Sequence, residues 1–318
     1  FFPKLPSAFT GPGRCNAMPL SFQQFFRAYG KVLALLAAMI CGVLLPQLHV
    51  LTFLVRYLLM TMLFFSFLDL QIQLSMFRRG VWRVLAANLT VAFLAYVLLS
   101  FFDHNLALTA FLAGIAPTAT ASPVLVGFVG GQVPFMIAAV LLTNIAVALL
   151  VPLVLPGLVG ADLQISTWQV LQPVLVVMFV PLILARLVKL LPNPIQDVFR
   201  SAKRYNFAVW LFNLLIISAN ASDFIRRQPS GSLLFLAEIA LVSLLLCGLN
   251  FALGGLISKP GLRQESSQAL GQKNITFVIW IALTFINPMA AMGPTFYIIY
   301  HNLYNAWQIY RFEQQNQT

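Results

Sequence analysis

Charged residues are scarce in this chain. Only 8% of its 318 residues are Asp, Glu, Lys or Arg, whereas 60% are hydrophobic, and the mean hydropathy is +0.88. Soluble globular domains carry about 25% charged residues and about 45–50% apolar ones. Because a soluble fold of this size has too little interior to bury so much apolar surface, the composition excludes a soluble enzyme. It indicates a helical membrane protein with several spans.

The residues of catalytic and metal sites are also few. The three cysteines, Cys15, Cys41 and Cys247, are too widely spaced for a metal site or a disulfide framework. The apolar segments contain no paired carboxylates, no HExxH motif and no GxSxG motif. We therefore predict that the protein is not an enzyme, and we expect no catalytic residues, no bound metal and no cofactor.

Long apolar runs dominate what is present. A helix needs about 20 apolar residues to cross a bilayer, and Pro, Gly and charge clusters divide this chain into runs of about that length. The predicted fold class is therefore an all-α polytopic membrane protein with ten transmembrane helices. The predicted spans are 31–46, 51–68, 81–101, 106–128, 133–155, 168–191, 203–221, 232–257, 265–286 and 291–311.

The distribution of the basic residues predicts the orientation. If both termini are cytoplasmic, fifteen of the nineteen Lys and Arg residues fall on cytoplasmic segments, and Arg56, Arg226 and Arg227 fall on the opposite face. Lys and Arg accumulate on the cytoplasmic side of membrane proteins, so the net charge of +11 reflects topology and predicts no nucleic-acid partner. We expect a multi-pass protein of the inner (plasma) membrane that contacts the lipid bilayer; the oligomeric state stays open.

The chain divides into a short tail and two halves. Residues 1–24 are predicted to be an N-terminal tail; the first seventeen are broken by Pro and Gly and lack the order of a signal peptide, so we expect Met18 to be the native start. The halves, 25–155 and 156–318, each contain five predicted spans, and the second half includes the C-terminal tail.

Two of the predicted spans are interrupted by polar residues. The fourth span contains Ala116-Pro117-Thr118-Ala119-Thr120-Ala121-Ser122-Pro123, and the ninth contains Gly271-Gln272-Lys273-Asn274. Proline breaks helix hydrogen bonds, and backbone left unpaired in a membrane must be buried in protein or line a polar cavity. An ionisable group at such depth indicates a functional site. The alternative for the fourth span is a kinked helix that serves only packing. The alternative for the ninth is a lysine near a helix end whose side chain extends to the membrane surface.

The two interrupted spans hold the same place in their halves. They are the fourth and ninth of ten, and an odd number of spans per half inverts the second half relative to the first. Broken segments at corresponding positions of inverted repeats indicate the binding site of a transporter. We therefore predict two inverted five-helix repeats.

Three motifs carry a family resemblance. The run from Met62 to Gln71, followed by Phe77-Arg78-Arg79, resembles the second helix of the bile acid:sodium symporter family. The interruptions of the fourth and ninth spans resemble the signatures of that family's fourth and ninth helices. The similarity, to bacterial members, extends over about residues 25–311. The resemblance implies a panel domain of helices 1, 2, 6 and 7 and a core domain of helices 3–5 and 8–10, in which helices 4 and 9 cross. It also implies alternating-access transport of an organic anion, which is coupled to sodium in the characterised members.

The sequence departs from the family at the sodium ligands. With Gly271 and Asn274 aligned, the family's acidic ligand falls on Ala269, and a family glutamine falls on Lys273. A fixed ammonium can satisfy the same oxygens as sodium. We therefore predict that Lys273 replaces the ion and that transport is independent of sodium.

Other sodium ligands of the family are also missing. The asparagine expected after Ser122 is Pro123, and the hydroxyl positions of the fifth helix fall on apolar residues near Met136 and Val140. We expect that only Ser122 and, on helix 3, Asn88 keep a side-chain oxygen. Asn88 and Lys273 are the predicted ion-site substitute.

The predicted substrate is a small or amphipathic organic anion, because the N-terminal ends of half-helices attract anionic groups. The alternatives are a sodium- or proton-coupled symporter of organic anions, a sensor that binds without transport, and a channel, which would need rings of charge. The predicted substrate-binding residues are Thr118, Thr120, Ser122, Gln272, Lys273, Asn274 and Thr276.

Overall fold

Helices make up nearly all the regular structure in the part of the chain that the structure describes. The computed structural model describes residues 22–68, 76–77, 79–160, 166–227 and 232–315. Within these ranges the α-helices are α1 (Phe22–Leu44), α2 (Leu54–Leu68), α3 (Arg79–Ser100), α4 (His104–Ile115), α5 (Ser122–Phe128), α6 (Val133–Val159), α7 (Thr167–Val188), α8 (Asn193–Ala202), α9 (Asn206–Arg226), α10 (Ser232–Leu256), α11 (Arg263–Gly271), α12 (Ile275–Phe285) and α13 (Met292–Gln315).

Six helical stretches in the described ranges are long and apolar enough to cross a membrane. They coincide with the second, third, fifth, sixth, seventh and eighth predicted spans. The protein is therefore a multi-pass helical membrane protein, and this part of the prediction is confirmed. The six stretches are Pro46–Leu68, Gly80–Ser100, Val133–Val159, Thr167–Val188, Asn193–Arg226 and Leu233–Leu256.

The other four predicted spans contain shorter apolar helices or a more polar one. The first includes the apolar helix Leu33–Leu44, and the tenth corresponds to α13. The fourth is divided into α4 and α5, and the ninth into α11 and α12. The division follows from the sequence: α4 ends before Pro117, and Pro123 lies in the first turn of α5, where proline is tolerated.

The helices pack in two groups. In one group, α9 packs on α1 and α2, and α2 packs on α7; in the other, α3 packs on α4 and α6, and α10 packs on α11 and α13. The groups contact each other where α6 meets α7, where α1 meets α13 and where α2 meets α12.

A glycine permits the close packing of α4 against α3. A Cβ atom added to Gly114 would lie 3.0 Å from the Cα atom of Ala92. Small residues at helix contacts let backbones approach closely in membrane proteins. The last turn of α4 is thereby held against the middle of α3, which carries Asn88.

The short helix α8 was not predicted from the sequence. None of its residues is buried, and the apolar side chains of Ile195 and Val198 are exposed. Basic residues gather beside it: burial lowers the pKa of Lys189, and the neighbouring guanidinium groups of Arg186 and Arg200 lower it further. An amphipathic helix with basic residues is typical of a segment that lies in the membrane interface.

Candidate functional site

The breaks in the two interrupted helices lie against each other. The N–H of Ala119 donates to the carbonyl oxygen of Gln272 at 2.8 Å, and the N–H of Asn274 donates to that of Pro117 at 2.6 Å. Between these bonds, Thr118 and Lys273 form an isolated antiparallel bridge. Backbone groups that have no partner within the broken helices therefore bond to each other at the place where the two broken helices meet, which we call the crossing. Buried backbone N–H and C=O groups need such partners.

Lys273 is buried behind this bridge. Its side chain is 2% exposed, and its Nζ atom donates to the Oδ1 atom of Asn88 and to the carbonyl oxygen of Gly114, the latter at 2.8 Å. Asn88 in turn donates from Nδ2 to the carbonyl oxygen of Ile115 at 3.1 Å. The two residues predicted to substitute for an ion are thus in contact. Lys273 is a buried, hydrogen-bonded group and does not extend to the membrane surface.

The oxygen atoms around Lys273 belong to the end of a helix. Gly114 and Ile115 are the last two residues of α4, and the final carbonyl groups of a helix have no partner within it. The C-terminal end of a helix also carries a partial negative charge. The position is therefore favourable for a cation, although no ion pair joins Lys273 to a carboxylate in the part of the chain that the structure describes.

Thr118 uses its polar groups within the protein. Its N–H donates to the Oγ1 atom of Thr143 at 3.0 Å, and its carbonyl oxygen accepts from the Nδ2 atom of Asn144 at 2.9 Å. Its hydroxyl donates to the carbonyl oxygen of Ala269 at 2.6 Å, and the side chain is buried. In this conformation Thr118 holds the break in place.

Helix α6 contributes two polar side chains to the break. The sequence indicates Asn144 as a hydrogen-bond partner between helices, which is confirmed, but it places apolar residues near Met136 and Val140 at the family's hydroxyl positions and gives no role to Thr143. Thr143 and Asn144, about one to two turns further along, both contact the break. Asn144 also accepts from the Nδ2 atom of Asn274 at 3.4 Å. A signal was present: apart from glycine and prolines, these two are the only residues of α6 that are not hydrophobic.

The remaining predicted substrate residues differ in their exposure. Ser122 is buried and donates to a backbone carbonyl three residues earlier at 2.7 Å. Gln272 and Thr276 are also buried, and the Oε1 atom of Gln272 has no hydrogen-bond partner among the described residues. Thr120 and Asn274 are partly exposed. Of the seven predicted residues, these two are therefore the ones whose side chains a ligand can reach in this conformation.

Two half-helices begin at the crossing. α12 starts directly after Asn274, whose side chain forms no hydrogen bond with the start of the helix, and α5 starts at Ser122. The N-terminal end of a helix carries a partial positive charge and exposes N–H groups. The N-terminal end of α12 therefore presents N–H groups and a partial positive charge at the crossing, where α4 and α11 end.

Two cavities lie away from the crossing. The larger, of about 610 Å³, is between α10, α11 and α13, where Phe251 and Ser267 line it. The smaller, of about 340 Å³, lies between the start of α2, the first turns of α7 and the end of α12, where Arg56 and Trp280 line it. Neither cavity is lined by any of the predicted substrate residues.

The fold and the site together define a multi-pass helical membrane protein with two broken helices paired around a buried lysine. No protein-family model matches the chain. The chain is similar to the uncharacterized protein YbaS of Bacillus subtilis (strain 168), with 26% identity over 210 residues that cover 64% of this chain and 68% of YbaS. Because that relative is itself uncharacterized, the similarity assigns no activity.

Proposed function

We propose that this protein is a secondary transporter of the bile acid:sodium symporter type that carries an organic anion across the inner membrane by alternating access, independently of sodium. The observation that carries the proposal is the backbone pairing of two broken helices beside the buried ammonium of Lys273. Broken helices that meet in the membrane supply polar groups at a depth where intact helices offer none.

The order and packing of the helices support ten spans in two inverted repeats. We assign the first repeat to α1–α6 and the second to α7–α13, so that the broken helix is the fourth span of each. The packing group of α1, α2, α7 and α9 has the composition expected of the panel, and the other group has that expected of the core. With both termini cytoplasmic, the charge distribution follows the positive-inside rule.

The surroundings of Lys273 support independence from sodium. The ammonium already holds the oxygens of Asn88 and Gly114, and the position of the family's acidic ligand is Ala269, which brings no charge. A second cation about 4 Å away would be opposed by about 4 kcal/mol at an effective dielectric constant of about 20. The same single charge that sodium would bring is thus supplied by the chain itself.

The accessible side of the crossing supports an anionic substrate. Thr120 and Asn274 are within reach of a ligand, and the N-terminal end of α12, which carries a partial positive charge, directly follows Asn274. Carboxylate and sulfonate groups bind to such helix ends through N–H donors. Lys273 contributes a positive potential from behind the bridge, without contact with the substrate.

Counterflow in liposomes tests the transport function. Organic anions are first screened for thermal stabilisation of the purified protein, and the anion that stabilises it is then measured as a radiolabelled substrate with sodium chloride or with choline chloride. We expect equal counterflow in the two salts. Uptake that requires sodium contradicts the role given to Lys273, and stabilisation without counterflow indicates a sensor.

Proton coupling is the second candidate mechanism. The observation that favours it is the absence of an ion pair between Lys273 and any described carboxylate, because a lone buried amine can give up its proton without leaving an unpaired carboxylate. An imposed pH gradient distinguishes it: accumulation that follows the gradient in the wild type and not in Lys273→Gln supports coupling. Counterflow unaffected by the gradient supports uniport.

A further inference from the structure

The smaller cavity lies between the two packing groups. Its lining comes from the start of α2 and the first turns of α7, which belong to one group, and from the end of α12, which belongs to the other. In the orientation proposed above, all three of these helix ends point to the outer face. The cavity is therefore a cleft at the outer boundary of the two groups.

Arg56 is the charged residue of this cleft. Its guanidinium lies over the ring of Tyr57, 5.6 Å from the ring centre, and its Nε atom is buried without a hydrogen-bond partner among the described residues. No ion pair to a described carboxylate accompanies it. A buried donor of a charged group that lacks an acceptor is unfavourable, so this part of the cleft is suited to an anion.

The other arginines predicted on the outer face have partners. Arg227 forms an ion pair with Asp223 at 2.9 Å, and Arg226 donates to the hydroxyl of Ser222 and to the carbonyl oxygen of Val43, both at 3.2 Å. Positive charge at this face thus does not by itself leave a guanidinium without acceptors. The lack of an acceptor at the Nε atom of Arg56 is therefore a feature of the cleft and not of the outer face in general.

The rest of the cleft is shaped for a small ligand with an apolar part. Trp280 is 4% exposed and lines the cavity together with Leu283 and Phe53, and the hydroxyl of Thr284 lies at the same end of α12. A guanidinium binds a carboxylate through two parallel hydrogen bonds. The volume of about 340 Å³ is near the lower end of the range of about 300–1,000 Å³ for small-molecule pockets, which favours a compact anion over a steroid.

We propose that Arg56 binds the carboxylate of a small organic anion at the outer entrance of the protein, with the apolar part of the anion against Trp280. This inference rests on the proposed function and specifies its substrate class. The cleft and the helix crossing lie at opposite ends of α12, an 11-residue helix that is about 16 Å long at about 1.5 Å per residue. An anion held by Arg56 is therefore one helix length from the N-terminal end of α12 at the crossing.

Binding of benzoate and of its neutral analogue benzamide tests the site. Both are titrated by calorimetry into the purified full-length protein in lipid nanodiscs, as wild type, Arg56→Gln, Arg56→Lys and Arg227→Gln. Because a hydrogen bond to a charged group contributes about 1.5–3 kcal/mol, we expect Arg56→Gln to bind benzoate at least about tenfold more weakly. Arg56→Lys is expected to be intermediate, and Arg227→Gln, an arginine on the same face but outside the cleft, is expected to match the wild type.

Two results overturn the inference: benzoate that binds the wild type no better than benzamide, or benzoate affinity that is unchanged in Arg56→Gln.

Counterflow of labelled benzoate separates this inference from the transport function. Counterflow that is equal in the wild type and Arg56→Gln rejects the role of Arg56 and keeps the transporter. Binding that depends on Arg56 without any counterflow keeps the site and rejects the transporter. Arg56→Lys guards against misfolding, because it preserves the charge.

Discussion

The Nζ atom of Lys273 lies 2.8 Å from the carbonyl oxygen of Gly114, so the ammonium of one broken helix caps the end of another. The carbonyl oxygens in the last turn of α4 need hydrogen-bond donors from outside the helix, because the helix itself supplies none at its C-terminal end. Lys273 and Asn88 provide those partners at Gly114 and Ile115. The lysine therefore has a structural role in the crossing whether or not an anion is bound.

Removal of the ammonium should lower the stability of the protein and create a response to sodium. In Lys273→Ala, the buried oxygens of Asn88 and Gly114 lose their donor, at about 1–3 kcal/mol for each group left unpaired. We expect a lower thermal midpoint, which sodium chloride partly restores and choline chloride does not. The wild type and Lys259→Ala, which changes an exposed lysine, should melt equally in both salts. Stabilisation of the wild type by sodium would contradict the prediction.

Asn88 and Lys273 should be energetically coupled. Residues in one hydrogen-bond network show coupling energies of about 0.5–3 kcal/mol in double-mutant cycles. We expect Asn88→Ala and Lys273→Ala together to destabilise the protein by less than the sum of the single changes, because each removes the same contact. The unfolding free energies of the four proteins measure this difference. The cycle of Asn88→Ala with Lys259→Ala is the control, and it should be additive.

The hydroxyl of Thr143 should stabilise the break between α4 and α5. It accepts the N–H of Thr118 at 3.0 Å, and Thr143→Val would leave that buried donor unpaired at about 1–3 kcal/mol. Thr143→Ser keeps the oxygen and should lose less stability. Thr61→Val removes a hydroxyl that bonds only within its own helix and is the matched control. Equal midpoints for Thr143→Val and Thr61→Val would show that the bond contributes nothing.

Gly271 should not tolerate a side chain. The ring of Phe251 packs directly against its Cα, so that an added Cβ atom would collide with the ring. Overpacking of this kind destabilises by about 1–3 kcal/mol, and we expect Gly271→Ala to have a lower thermal midpoint. Gly248→Ala introduces a Cβ atom with no other heavy atom within 4 Å. It should be neutral or stabilising, since alanine favours helix; a loss equal to that of Gly271→Ala would argue against the contact.

The breaks were predictable because their causes are local. Pro117 and Pro123 mark the break between α4 and α5 together with the small polar residues between them, whereas α6 and α7 continue through Pro152 and Pro181. Lys273 is conspicuous in an apolar run. The contact between Asn88 and Lys273 was predicted only through the family resemblance. It joins residues 185 positions apart, and the pattern of one segment carries no information on which distant segment it meets.

Other parts of the site depend on tertiary packing. Thr143 and Asn144 stand out in α6, but only the packed structure shows that they bond to Thr118. The sequence predicted only that Arg56 lies on the outer face, because a count of charges does not distinguish an arginine with hydrogen-bond partners from one without them. Helix α8 was missed because a span-length search discards a ten-residue amphipathic helix as a connection.

The backbone pairing at Thr118 and Lys273 also limits how the molecule can move. Bonds on both sides of that bridge join the two breaks, so neither half-helix pair can shift without drawing the other along. In the transport cycle proposed above, exchange of access between the two membrane faces would then come from sliding at the contacts between α1, α2, α7 and α9 and the remaining helices. A covalent cross-link within the crossing would leave such sliding intact, whereas one between α2 and α12 would arrest it.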